Sequence, residues 1–161
     1  MKFIVIIIII IILIYISCYF IFPPSVQILQ TTIQDFNFPL LYTRQPIVIY
    51  DHLKEKEELV NSWFKYNSIT HLINDNDNDN WVYNKYKYLF INANENIEVI
   101  IYKASIYSAP PTETDSIIAI KLEKDQSLIL PYRWKYFVDN KNNIDVWGAN
   151  DLITSFVSLA F

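Results

Sequence analysis

Apolar and polar positions divide the chain into zones of different period. From Phe3 to Phe22 the sequence FIVIIIIIIILIYISCYFIF carries no charged side chain. At about 1.5 Å of rise per residue such a run makes a helix of roughly 30 Å, the depth of a bilayer's hydrocarbon core. Pro23 and Pro24 then stop it, since neither has an N–H to donate. Residues 25–45 read as a connector of mixed polarity. A compact apolar run, Pro46–Tyr50, predicts a buried strand. The stretch His52–Tyr66 changes period: Leu53, Leu59, Val60, Trp63 and Phe64 gather near one face, and Lys54 to Glu58 spread over the other. This predicts one amphipathic helix with Asp51 as N-cap and a solvated charged face.

After an exposed Asn/Asp loop over 74–80, the period falls to two. Tyr86–Ile91, Ile97–Tyr102, Ser116–Leu122, Ser127–Leu130, Trp134–Val138, Ile144–Trp147 and Leu152–Leu159 are short, β-branched or aromatic, and separated by turn signals. Strands at that spacing predict an antiparallel sandwich or a jelly-roll-like domain. The fold class expected is therefore α+β, an N-terminal transmembrane helix followed by a mainly-β domain with one amphipathic helix. Residues 1–24 form the anchor, 25–45 the connector and 46–161 the domain, with Phe161 packed in the last strand. Phe3, Ile8, Leu13, Cys18 and Phe22 mark the length of the anchor. The alternatives for it are a cleaved signal peptide and a lipoprotein signal around Cys18. The length of the apolar run and the absence of a small-x-small site before Pro23 favour the uncleaved anchor. Lys2, the one basic residue beside the run, puts Met1 on the cytosolic side and the domain on the other.

Composition narrows the functional classes. Without Lys2 the chain holds 12 basic and 17 acidic residues, a balance that disfavours nonspecific binding to nucleic acid and adhesion to anionic lipid surfaces. The single cysteine, Cys18, lies in the apolar run, so the domain is held by packing and no internal disulfide is available to it. One glycine, Gly148, in 161 residues excludes glycine-rich phosphate loops and the nucleophile elbow. Turns with φ > 0 are then expected at Asn and Asp, in the clusters 74–80, 92–96 and 139–145.

Candidate chemistry is sparse. His52 and His71 are the only histidines and neither has a carboxylate two residues on. Asp75, Asp77 and Asp79 imitate the start of a calcium loop, but Asn80 and Tyr86 stand where its glycine and closing glutamate belong. No catalytic or metal-binding residue and no cofactor is expected. Two clusters interleave aromatics with cations, Tyr83–Tyr88 and Tyr132–Tyr136. Such clusters can stack on sugars, bases or lipid headgroups. A strand with aromatics on one face and cations on the other gives the same pattern. Tyr132, Arg133, Trp134, Tyr136, Trp147, Lys85 and Lys87 form the candidate binding patch.

The segment from Ile118 to Phe161 resembles the last third of the JmjC-like cupin family through Asp125, Leu128, Ile129, Pro131, Trp134 and Val138. The resemblance implies a double-stranded jelly roll of a type that binds Fe(II) and 2-oxoglutarate. Tyr136 stands where that family's second metal-binding histidine would be, and no HxD or HxE motif lies upstream. It therefore implies a non-catalytic relative. The anchor, the lone cysteine and the Asn/Ile/Lys/Tyr-rich composition also resemble small membrane proteins of giant nucleocytoplasmic DNA viruses. The function expected is a single-pass membrane protein presenting an interaction or structural domain to a protein partner. The alternative is a membrane-tethered cupin-like enzyme or a small-ligand or glycan binder.

Overall fold

The computed structural model describes residues 2–20, 23, 25–51, 56–72, 81–103, 111 and 116–155. Helix α1 (Lys2–Phe20) is followed by β1 (Leu29–Thr31), α2 (Phe38–Tyr42), β2 (Ile47–Ile49), α3 (Lys56–Trp63) and β3 (Ser68–Leu72). Then come β4 (Val82–Tyr83), β5 (Tyr88–Ala93), β6 (Ile97–Lys103), β7 (Ile118–Leu122), β8 (Ser127–Pro131), β9 (Trp134–Val138) and β10 (Ile144–Asn150). Among the described residues ten strands form two sheets, ordered β1-β2-β8-β5-β10-β3 and β4-β9-β6-β7. The pairs are antiparallel except β1–β2. The chain is a mainly-β sandwich with a few helices.

The larger sheet is apolar on both faces, which makes three layers. Leu89, Ile91, Leu128, Leu130 and Val146 point inward against Val99, Ile101, Leu122, Trp134, Tyr136 and Val138 of the smaller sheet. Their neighbours Tyr88, Phe90, Ile129 and Ala149 point outward and pack under Leu41 of α2 and Val60 and Phe64 near α3. The alternation follows from the pleat, in which successive side chains take opposite faces. Phe64 meets Phe90 edge-on at 5.1 Å, and Phe36 stacks on Trp63 at 4.2 Å.

Several expectations need correction. Residues 25–45 are part of the sandwich: Leu29–Thr31 pair with Ile47–Ile49 in parallel, and a parallel pair needs the crossover that residues 32–46 supply. Gln45 fixes the entry to it, its Oε1 accepting from Gln27 N–H at 2.9 Å and its Nε2 donating to Ser25 O at 2.8 Å. Residues 152–155 are a helical turn, not the start of a strand. The cause is Asp151, whose Oδ1 accepts from Thr154 N–H at 2.7 Å and from its hydroxyl at 2.8 Å, an N-cap that outweighs β-branched propensity. Phe161 and the rest of that expected strand lie outside the described residues, as do the 74–80 loop, His52 and Leu53. Asp51 accepts from the Ile33 N–H through Oδ2.

Positive φ falls at Arg44, Asp125 and Arg133 among the described residues, not in the Asn/Asp clusters. Local hydrogen bonds impose it. Arg44 follows α2 as a left-handed cap, its N–H donating to Leu41 O at 3.3 Å. Arg133 N–H donates to Asn84 O at 2.9 Å.

Asn84 ties the two sheets together. Its Nδ2 donates to Leu130 O at 3.0 Å and Pro131 O at 2.7 Å, and its Oδ1 accepts from Tyr86 N–H at 2.8 Å. The side chain is buried, so each bond lost leaves a backbone group unsatisfied. Asn84→Ala is expected to destabilise by about 2–4 kcal/mol in chemical denaturation.

Gly148 explains why the chain keeps a glycine. A Cβ there would lie 2.3 Å from Cδ1 of the Tyr86 ring, which lies against the inward face of β10. Gly148→Ala must displace that ring, with an expected cost of about 1–3 kcal/mol. An unchanged denaturation midpoint would refute the close packing.

Candidate functional site at the foot of α1

Among the described residues, α1 meets the sandwich through one polar cluster. Tyr15 donates its hydroxyl to Asp151 Oδ2 at 2.6 Å. Lys87 Nζ donates to the same carboxylate oxygen at 2.7 Å and to the Tyr15 hydroxyl at 3.0 Å. The Lys87 and Asp151 side chains are 21% and 24% exposed, so their pairing is less screened than a surface ion pair. Lys87 is held from behind: its N–H donates to Asn150 Oδ1 at 2.8 Å, and its carbonyl accepts from Tyr132 N–H at 3.1 Å. Tyr132 is buried against Tyr15 and Ile153. Burial pushes the Asp151 carboxyl up, but the hydrogen bonds from Lys87, Tyr15 and Thr154 outweigh it and hold the carboxyl well below the usual carboxylate range.

A cavity of about 200 Å³ opens beside this cluster, lined in part by Tyr15, Tyr42, Arg44, Lys87, Tyr88 and Tyr132. A second of about 450 Å³ shares Leu41, Tyr42, Lys87 and Tyr88 with it and extends under α2 and α3 to Lys65 and Tyr66. The two form a groove lined, among the described residues, by aromatic rings and three cations and by no carboxylate. Tyr42, Tyr66 and Leu152 are the exposed large side chains at this end, at 77%, 93% and 82%. Burial pushes the Tyr88 hydroxyl up in pKa, so it stays a neutral donor at neutral pH.

The sequence-derived patch is split between environments. Trp134 and Tyr136 are buried between the sheets, 1% and 5% exposed, and cannot belong to a surface. Burial pushes the Tyr136 hydroxyl well above the usual phenol range, with the nearby Tyr86 adding to the rise. The reason is the alternation of β9, which sends Trp134 and Tyr136 inward and Lys135 and Phe137 to the opposite face, where Lys135 Nζ lies 5.6 Å from the Tyr102 ring centre. Arg133 is half-buried, its Nε donating to the Tyr83 hydroxyl at 3.3 Å. Trp147 lies on the outward face of the larger sheet, 4.3 Å from His71. Lys85 is exposed and lines neither part of the groove. Of the seven, Lys87 and Tyr132 reach the foot of α1. Tyr15, Tyr42, Arg44 and Asp151 were missed. Two carried a readable signal: Tyr15 interrupts an aliphatic run, and Asp151 precedes Thr154 at capping distance.

Among the described residues no group of three His, Cys, Asp or Glu is placed to hold a metal ion. No family model, characterised protein or solved structure matches this chain.

The depressed Asp151 carboxyl sets a sign for the pH dependence. A folded-state pKa below the unfolded one gives stability that is present above about pH 4 and lost as pH falls. Asp151→Asn is expected to cost about 1–2 kcal/mol at neutral pH. It is also expected to flatten the acid limb of a stability–pH curve below pH ~4. A variant with the wild-type acid limb would show that Asp151 is not held by these bonds.

Proposed function

We propose that this chain is a membrane-attached protein whose α1 is the anchor and whose β-sandwich has a binding or structural role, not a catalytic one. The observation that carries the reading is the exposure of α1. Every residue from Phe3 to Ile14 is apolar and exposed, from 41% at Ile12 to 83% at Phe3. An apolar cylinder of this kind, with no polar face, needs a nonaqueous surround. Among the described residues no helix is long and apolar enough to cross a membrane. Tyr15 turns to the sandwich, which leaves about 18 Å of exposed apolar helix from Phe3 to Ile14 at 1.5 Å per residue. Of the expected anchor residues, Phe3, Ile8 and Leu13 lie on that cylinder, Cys18 is in the docked end of α1, and Phe22 is outside the described residues. The proposal is therefore attachment through the Phe3–Ile14 segment.

Strand order supports a jelly-roll reading of the sandwich. Numbering the eight strands from β3 to β10 gives 1-8-3-6 in one sheet and 2-7-4-5 in the other, with β1 and β2 added to the first. The segment that resembles the cupin-like family falls on β7 to β10 in that order, with Pro131 ending β8 and Trp134 opening β9. Tyr136, at the position of the family's second histidine, is opposite Val82 on β4 and Ile101 on β6. Both neighbours are apolar, which favours an interior committed to packing. A protein partner is proposed for the domain, and the viral style of the chain belongs to the same reading.

Flotation of the full-length chain with phosphatidylcholine vesicles tests the anchor. The wild type is expected to rise with the lipid and to resist carbonate extraction. A variant with Ile6, Ile8, Ile10 and Ile12 changed to Ser should stay in the dense fraction while keeping its β-type circular dichroism. If the wild type remains with the soluble protein, the membrane reading fails.

A further inference from the structure

We propose that the groove at the foot of α1 is a binding site for the headgroup of an anionic phospholipid, with Arg44 and Lys87 on the phosphate and the tyrosine rings against the glycerol region. The assignment rests on the membrane reading above and adds a ligand class to it. Three observations converge.

The first is charge. The chain has a formal net charge of -4, yet among the described residues the groove is lined by Arg44, Lys65 and Lys87 and by no carboxylate. Asp151 lies behind Lys87, and its Oδ2 takes two hydrogen bonds, from Tyr15 and Lys87. It fixes the lysine's position. A phosphodiester brings a single negative charge to this basic lining. Arginine brings five N–H donors in a planar fork suited to phosphate oxygens.

The second is placement. Tyr15 lines the groove and directly follows Ile14, the last residue of the exposed apolar cylinder. When that cylinder enters a bilayer, the groove lies at the level of the headgroups. Basic pockets at this level are suited to anionic lipid headgroups.

The third is the rim. Tyr42, Tyr66 and Leu152 are largely exposed at the same end, an amphipathic set of the kind that settles at a membrane interface. Tyr42 and Tyr66 also line the groove, which places ring surface against the apolar part of a headgroup. The cavity beside Tyr15 has a volume of about 200 Å³.

The test is equilibrium binding of the full-length protein to two vesicle types, phosphatidylcholine alone and phosphatidylcholine with phosphatidylglycerol, in the presence and absence of inorganic phosphate. Wild type is expected to prefer the anionic vesicles. Arg44→Gln, which removes the charge and leaves the backbone strain at its positive φ unchanged, should lose about fivefold of that preference, and Arg44→Lys should recover part of it. Lys85→Gln removes an exposed charge outside the groove and should keep the wild-type preference. If Lys85→Gln loses as much as Arg44→Gln, the attraction is diffuse and the site is overturned. If Arg44→Gln keeps the full preference, the groove does not read the headgroup. If millimolar inorganic phosphate erases the preference at constant ionic strength, the site belongs to a soluble phosphate and the lipid assignment fails. Equal binding of wild type to both vesicles overturns this proposal alone. No binding to either overturns the anchor on which it rests.

Discussion

The constraint on which this structure depends is that its larger sheet is apolar on both faces. β5 is buried at each of its six positions and β8 at each of its five, so neither face can be left to water. A sheet of this kind is stable only between two covering layers. The smaller sheet supplies one. The other comes from segments that would otherwise be loops: α2, which carries Leu41, and α3 with the turn after it, which bring Val60 and Phe64. The parallel strand β1 extends the same sheet, and the chain between β1 and β2 has to pass across its outer face, which is how α2 comes to lie there. Burying both faces also accounts for Asn84. The turns that link one sheet to the other leave main-chain carbonyls inside, and a buried amide side chain satisfies them without water.

Docking of α1 follows a different logic. Among the described residues the contact is made by one tyrosine, one lysine and one aspartate, with Tyr132 and Ile153 packed around the ring. A helix that is apolar all round has no preferred side by hydrophobicity, so its rotation and angle have to be set by a directional interaction. Tyr15 provides it. The same aspartate caps the helical turn that carries Ile153, which makes the docking surface and the polar anchor parts of one hydrogen-bonded unit.

How much of this was legible in the sequence depended on how local the cause was. β2, β6, β8 and β9 were readable because each is a compact apolar or alternating run bounded by turn residues. β3 and β4 were not. Ser68–Leu72 is an edge strand with mixed exposure and no clean period, and Val82–Tyr83 is too short to have one. The turn at 152–155 was misread because the β-branched, apolar run after it outweighed a single capping residue. The two aromatic–cation clusters show the limit most directly. Alternation alone would bury Trp134 and Tyr136 and expose Lys135 or the reverse, and sequence does not say which face meets the second sheet. The groove was not legible. Tyr15 and Asp151 are 136 residues apart, and only the fold brings them within hydrogen-bonding distance.

The division of labour in the sandwich follows from where bulk was placed. Between two packed sheets the inward faces of the strands that hold Val82 and Tyr136 can frame a pocket or close it. Here Tyr136 and Trp134 take up that space, and the Tyr86 ring sits so close to β10 that even a methyl group at position 148 would collide with it. Packed aromatics of this size leave the inter-sheet space to stability. Room for a ligand appears instead where the layers do not finish together, at the end of the larger sheet where Tyr88 and Pro131 pair and where α2 and α1 cover it only in part. That end carries the cations, the exposed tyrosines and the apolar helix. Among the described residues the polar chemistry thus concentrates at the foot of α1, while the inter-sheet interior serves as core.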